Sequence, residues 1–466
     1  MRILLVTARY PWPPRRGDQI RTVQILDFLA GEHEVTLLAP APGNGQPAPP
    51  AGAGYRIEHY RPAGGLSVIR GMGRALARRL PLQSGLFYQP DLGRRLRELA
   101  PRADLGILQL VRLAAHLEDF GGTPILVDLI DSLALNFARR AGVDRRLLRP
   151  ALRFEARLLA AGERRLAERA AGVILVCERD RQAVIDRLPP ELGRKVSVVR
   201  LACPHQKVTA FPCVGEGLAP SRVGEGCEGE DGTFPPSREG ASPSPTQEDN
   251  DPGRPVGPQA RPGSGEGPKV RAALAQGNAL GWEAGPILAL TGNLGYFVNV
   301  DAVTWWLREV WPALHRVRPD VRVVVAGDRP SAAVRRAVAR AGAGVQLIES
   351  PRDLRFTIAQ ATLSLAPLRC GSGVPIKILE AWAAGTPVVA TPWAAAGTSG
   401  RPGEDFLVVA PHPVEWASAI RELLDAPAAR ERLAENGRRR LAADYAPDVV
   451  RGQILAVVNA LGLRAG

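Results

Sequence analysis

Short apolar runs followed by longer amphipathic stretches recur through both ends of this chain, and they restrict it more than any other feature. In the first half the runs fall at residues 2–7, 35–38, 105–108, 125–129, 173–176 and 196–199. In the second they fall at 287–291, 321–326, 345–348, 363–366 and 387–390. Helical spacing fills the gaps, at 19–30 and 146–171 in the first half and at 301–317, 332–341 and 377–384 in the second. Brief strands alternating with helices form parallel sheets covered on both faces. The pattern therefore predicts an α/β protein of two doubly wound, Rossmann-like domains facing each other across a cleft.

Residues 204–283 break the alternation. Gly and Pro supply 26 of these 80 residues, and no apolar period runs through them. Such a composition cannot bury enough surface to offset its ordering entropy, so it reads as a disordered insertion. The expected domains are then 1–203 and 284–445, with a last helix over 446–466.

The 466 residues are 45% hydrophobic and 23% charged, which supports two cores and excludes a wholly disordered or fibrous chain. No apolar run reaches the roughly 18 residues of a transmembrane helix. The apolar start soon meets Arg9 and a Pro-rich loop, unlike a signal peptide. The five cysteines lie far apart with no CxxC pair, as in a reducing cytoplasm. The net charge of +13 is concentrated at the front, where residues 1–200 hold 32 Lys and Arg against 20 Asp and Glu. That field favours an acidic partner: a phosphorylated substrate, an anionic lipid or a nucleic acid. The equally economical reading is Arg used as ordinary surface charge.

Ligands of open parallel sheets bind beyond the carboxyl ends of the strands. The richest such segment runs from Pro367 through Arg369, Gly371, Ser372, Gly373, Val374, Lys377 and Glu380 to Thr391. A strand ends near Ala366, a Gly-rich loop follows, and a helix begins about Pro375. Glycines let backbone approach a ligand, and a helix start offers free N–H groups to phosphate. Lys377 can neutralise a diphosphate, and the Glu380 carboxylate can accept from a ribose diol. A tight turn with a solvated Lys–Glu pair would look similar over any short piece of this run.

The whole run resembles the nucleotide-sugar site of glycosyltransferase family 4, retaining enzymes of the GT-B fold. The family's Glu-x7-Glu motif leads into Glu-Ala-x-Ala-x-Gly-x-Pro-Val-Val-Ala; Glu380 matches the second Glu, and the tail matches almost residue for residue. The first Glu, which touches the donor sugar, falls on Ser372. The resemblance implies a ribose contact for Glu380 and phosphate-facing backbone at Gly373 and Val374. The Pro-Leu-Arg ahead and the Lys before the Glu are similar to an exopolysaccharide-associated branch found beside sortase-like (PEP-CTERM) export systems.

Residues 290–301 resemble the first strand and loop of the donor domain. Gly292-Asn293 stands where many members have Gly-Arg, so Arg369 or Lys377 is left to supply the cation. Gly327 matches a strand-end glycine, and the stretch containing Ser350 falls where the base binds, largely through backbone. In the front half, the loop over residues 7–21 matches a Pro-rich loop closing on the phosphates; Gly17 matches its first Gly and Asp18 replaces the second. Arg16 and Arg21 are candidates for phosphate contact.

Asp128 and Asp131, at a strand end, could orient or deprotonate an acceptor hydroxyl. One of them could instead cap the next helix, with Ser132 in competition. Glu178 is a weaker candidate of the same kind. No histidine pair has ligand spacing, and no Asp-x-Asp lies in a folded segment, so neither metal nor other cofactor is expected. Residues 66–99 interleave arginines with apolar residues, as an interfacial helix on anionic lipid or a solvent-facing basic helix would.

Together these features imply a cytoplasmic glycosyltransferase, working at the inner face of the plasma membrane if the lipid contact is real. The rear domain would bind the nucleotide-diphospho-sugar and the front domain a glycan or lipid-linked acceptor. Lys377, Arg369 and Asp131 would carry the chemistry, and the last helix would brace the front domain. A catalytically silent nucleotide-sugar-binding protein fits the departures at Ser372 and Asn293, and a sugar-nucleotide epimerase of similar fold is the other rival. No nucleic-acid-binding module is present, and aromatic residues are only 5%.

Overall fold

The structure, a computed structural model, describes residues 1–203 and 285–462 apart from positions 44, 51, 63, 78, 79, 145 and 352. The segment read as an insertion lies outside the described residues, as do His205, Cys213 and Cys227. The front lobe holds β1 (Arg2–Val6), β2 (Glu34–Pro40), β3 (Arg56–Tyr60), β4 (Leu105–Gln109), β5 (Ile125–Ile130), β6 (Gly172–Leu175) and β7 (Val196–Val198). They form one parallel sheet in the order β3-β2-β1-β4-β5-β6-β7. The rear lobe holds β8 (Ile287–Thr291), β9 (Arg322–Gly327), β10 (Val345–Glu349), β11 (Leu363–Ala366), β12 (Val388–Ala390) and β13 (Leu407–Val408). Its parallel order is β10-β9-β8-β11-β12-β13. The described residues of both lobes belong to one compact unit.

Both faces of each sheet are dry, which is why the strand runs show no polar alternation. Along β1, Ile3 and Leu5 enter one core while Leu4 and Val6 enter the core on the opposite face. Side chains alternate across a strand, so each run needs helices on both sides. Burying one such side chain contributes about 1.5–3 kcal/mol. Strands β3 and β13 escaped the sequence reading. β3 (RIEHY) is an edge strand with only Tyr60 fully buried, and β13 has two half-buried residues.

Two features couple the lobes. The helix Pro447–Gly462 lays Val450, Ile454, Val458 and Leu461 on the core that contains Ile3, Leu5 and Ile25. The helix before it, Pro427–Tyr445, gives Leu441 and Tyr445 to a rear-lobe core. Beside this crossing, the Cys203 N–H donates to the Tyr445 carbonyl at 3.0 Å.

Each sheet changes strand direction of growth beside its first strand, between β1 and β4 and between β8 and β11. Crevices open at such points beyond the carboxyl ends. In the rear lobe the crevice is tight. Gly292 and Gly327 have φ of 135° and 157°, and a Cβ on Gly327 would stand 1.7 Å from the Gly292 carbonyl oxygen. Glycine at both positions lets the ends of β8 and β9 meet.

Candidate functional site

The two crevices face each other and enclose one cavity of about 670 Å³. Gly17, Asp131, Gly292, Asn293, Ser372, Gly373, Val374, Lys377 and Glu380 line it together. Most of the residues singled out from sequence therefore meet in one place, from strands far apart in the chain. Gly17 opens the helix Gly17–Leu29, and a Cβ there would sit 3.8 Å from Ile376 Cδ1, across the cleft.

Lys377 and Glu380 stand on the first turns of the helix Ile376–Ala384, whose N-cap is Pro375. Lys377 is buried and its Nζ donates to Asn299 Oδ1 at 2.9 Å. Asn299 is itself held by its amide donating to the Asn293 carbonyl at 3.0 Å. Burial lowers the Lys377 ammonium to about 8, against the pull of Glu380. Burial raises Glu380 to about 7, opposed by the charge of Lys377. A charged lysine, a carboxylate and free helix-start amides on one wall form a receptor for phosphate beside a diol.

The opposite wall is shaped by strain. Ile130 and Leu110, at the ends of β5 and β4, have φ of 63° and 70°, and both line the cavity. The register of β5 shifts between Asp128 and Ile130, and the Asp131 N–H folds back to the Leu129 carbonyl at 2.7 Å. β-Branched residues avoid this region, so the conformation is imposed by its surroundings. Its effect is to aim Asp131 into the cleft. Burial, then the nearby Asp180 charge, push the Asp131 carboxyl up to about 6. The Ser372 hydroxyl donates to Asp131, and Ser372 accepts from Asn136 Nδ2 at 2.9 Å. Ser132 caps the helix Leu133–Val143, accepting the Leu135 N–H, so Asp131 is left free of that duty.

Several expectations need correction. Arg369 does not line the cavity: it pairs with Asp301 and lies 5.3 Å from the Trp305 ring centre. Its charge is neutralised outside the cleft. Ser350, with φ 46°, is exposed on the loop after β10 and also does not line the cavity. Arg21 and Asp128 are not site residues either. Their side chains are 1% and 0% exposed, and they form a buried ion pair at 3.1 Å between the first helix and β5. Gly373 does line the cavity, but its N–H is taken by Asp180 Oδ2 at 2.8 Å rather than directed into it. His116 is a packed core histidine, accepting the Gln89 N–H at 3.1 Å.

Sequence reading passed over Arg179 and Asp180, two residues beyond Glu178. Arg179 donates to the Gly373 carbonyl at 3.0 Å and to the Trp393 carbonyl at 2.9 Å. The only local signal is acidic residues on the first turn of the helix Glu178–Ile185. Tyr296 was missed too; its hydroxyl accepts from Asn136 Nδ2 at 3.1 Å. Among the described residues no three His, Cys, Asp or Glu side chains gather as a metal site. Of the arginines expected to meet lipid, three are committed elsewhere: Arg94 pairs with Asp91, Arg95 with Glu58 and Glu98, and Arg97 with Asp119, while Arg70 is exposed and the side chains of Arg74, Arg78 and Arg79 lie outside the described residues. Among the described residues no helix is long and apolar enough to cross a membrane.

Residues 285–426, within the rear lobe, match the family model described as Glycosyl transferases group 1. Among curated proteins, an uncharacterized 44.6 kDa protein of the cps region of Klebsiella pneumoniae is 30% identical over 135 residues. That match spans 28% of this chain and about a third, 34%, of the relative. Sucrose-phosphate synthase from Thermosynechococcus elongatus superposes with a TM-score of 0.64 at 16% identity, covering 99% of both chains. Anabaena Alr3699/HepE in complex with UDP gives 0.59 at 13% identity, covering 99% of this chain and 100% of the other; it has also been solved with UDP-glucose. The UDP-forming α,α-trehalose-phosphate synthase of Burkholderia xenovorans gives 0.58 at 13% identity, covering 99% of both. At these identities the likeness establishes the fold, which is the GT-B arrangement expected from the sequence.

Proposed function

We propose that this chain is a retaining glycosyltransferase that moves a sugar from a nucleoside-diphospho-sugar to a glycan or lipid-linked acceptor. The observation that carries the reading is the pairing of Lys377 and Glu380 on one buried helix start, facing Asp131 across the cavity. The glycosyltransferase group 1 match over this lobe supports it. UDP and UDP-glucose in the Anabaena complexes favour a uridine donor, and the cps-region relative favours cell-surface polysaccharide synthesis, at the cytoplasmic face of the membrane.

In this reading Glu380 accepts from the ribose hydroxyls. Lys377 and the amides at the start of Ile376–Ala384 stabilise charge on the departing diphosphate, where a preorganised donor acts most strongly. Asp131 orients the acceptor hydroxyl and takes its proton as the glycosidic bond forms. The lining cations neutralise the diphosphate without a metal ion, and a chelator is expected to leave turnover intact.

The test is titration with UDP-, GDP- and ADP-sugars, followed by turnover and NMR assignment of the product's anomeric configuration. One nucleotide sugar should bind and be consumed with retention. Failure of all three to bind overturns the reading. Binding without any transfer or hydrolysis selects the silent receptor, and release of an altered donor without acceptor selects the epimerase.

A further inference from the structure

Asp131 and Ser372 belong to different lobes, yet their side chains meet inside the shared cavity. Asp131 follows β5, and Ser372 sits in the glycine loop after β11. Gly373 has φ 70°, and a Cβ there would stand 3.3 Å from Asp131 Cβ. A glycine at this point lets the rear loop press against the front-lobe carboxylate.

The Ser372 hydroxyl has one proton to give and two lone pairs to accept with. Asn136, buried on the helix Leu133–Val143, donates from Nδ2 to Ser372 Oγ at 2.9 Å and to the Tyr296 hydroxyl at 3.1 Å. Both amide protons are spent on rear-lobe oxygens, one in the loop after β8 and one in the loop after β11. With Asn136 on its acceptor side, Ser372 gives its proton to Asp131. The chain Asn136–Ser372–Asp131 thus has a direction, and it delivers a donor to the carboxylate. Such a donor favours the ionised form.

The surroundings of Asp131 make that donor matter. The charged and titratable groups acting on it are Asp180 on the helix Glu178–Ile185, Asp18 on Gly17–Leu29, Glu163 on Arg149–Arg169, Tyr296, and Arg112 after β4. Burial and the charges of Asp180 and Asp18 oppose ionisation, while the Ser372 hydrogen bond and the charge of Arg112 favour it. Arg179 is already paired with Asp180. Among the described residues, Ser372 is the hydrogen-bond donor to the Asp131 side chain.

We propose that Ser372 is a positioning residue for Asp131: its hydroxyl, turned by Asn136, holds the carboxylate in the cleft as a proton acceptor. This rests on the transferase reading, in which Asp131 takes the proton of the acceptor hydroxyl. The proton acceptor is then completed across the lobes, by a loop that follows β11.

The test follows the Asp131 carboxyl by NMR in the full chain labelled at the aspartate carboxyl carbon, with Asp131→Asn to assign the signal. Ser372→Ala is expected to raise the titration midpoint by about one pH unit or more, the worth of a hydrogen bond to a charged group. Asn136→Leu should move it the same way by less, and Ser372→Thr, which keeps the hydroxyl, should restore it. In turnover with the preferred nucleotide sugar, the acid side of the kcat profile should move with the midpoint while donor affinity holds. A midpoint unmoved by Ser372→Ala, or moved equally by Ser372→Thr, overturns the proposal. Donor affinity that falls while the midpoint stays also overturns it, and makes the serine a donor contact. The NMR titration needs no substrate, so a lack of turnover counts against the transferase reading alone.

Discussion

Asp180 Oδ2 accepts the backbone N–H of Gly373 at 2.8 Å, and the same oxygen accepts the N–H of Ser132 at 3.0 Å. One front-lobe carboxylate thus ties the rear-lobe glycine loop to the start of the helix that follows Asp131. Arg179 balances it, donating from Nε to the other Asp180 oxygen at 2.8 Å. Asp180→Ala would leave two N–H groups and a guanidinium without their acceptor. We predict a loss of about 3 kcal/mol in unfolding free energy, read by urea denaturation, and faster proteolysis of the loop before Pro375. Unchanged stability would show that the lobes do not depend on this contact.

Glu380→Ala should weaken binding of the preferred nucleotide sugar roughly ten- to a hundredfold, the worth of about 1.5–3 kcal/mol from hydrogen bonds to a charged acceptor. Calorimetry measures it, with the melting temperature as the control for folding. The exposed Glu422→Ala on the helix Pro413–Leu424 should leave affinity alone. Equal affinities for wild type and Glu380→Ala would remove the ribose assignment.

The pH dependence has three limbs: Glu380, raised to about 7, gains a proton as pH falls, so donor affinity should fall on the acid side as well as on the alkaline side. Lys377, depressed to about 8 by burial, loses its proton as pH rises through that value, so affinity for the donor diphosphate should fall on the alkaline side. Asp131, raised to about 6, gains a proton as pH falls through that value, so kcat should fall on the acid side. Asp131→Asn should abolish the acid limb of kcat together with most of the rate, while both limbs of donor affinity persist. An acid limb of kcat that survives Asp131→Asn assigns the proton acceptor elsewhere.

The Arg21–Asp128 pair offers a structural contrast to the site. Arg21 also donates from Nη1 to the Arg200 carbonyl at 2.5 Å, while its Nη2 has no partner among the described residues. Asp128→Ala isolates a buried guanidinium and should cost about 3–5 kcal/mol. The double replacement Arg21→Met, Asp128→Leu should cost less than Asp128→Ala alone, because no charge is then stranded. A double-mutant cycle in denaturant decides between these values.

The rear wall of the site was legible because its parts are contiguous: loop, lysine and carboxylate lie within residues 371–380. The strands were legible because burial on two faces leaves unbroken apolar runs. What joins the lobes was not, because Gly373 and Asp180 are 193 residues apart in sequence. Arg369 looked like a site cation because its partner, Asp301, is 68 residues away. Arg21 carries the same charge as any surface arginine, and only the packed helix shows that it is buried. The turn that aims Asp131 puts an isoleucine at φ 63°, a choice that local propensity argues against.

The front sheet receives Val450, Ile454, Val458 and Leu461 from residues made more than 240 positions after β7. During translation its seven strands therefore leave the ribosome with part of one greasy flank bare, that face covered only by the first helix, and they keep it so while the whole rear lobe is synthesised. A chain that stalls before residue 447 would present that flank to chaperones and to other nascent copies. Selection on the final helix thus acts on how the protein is born as much as on what it does once complete.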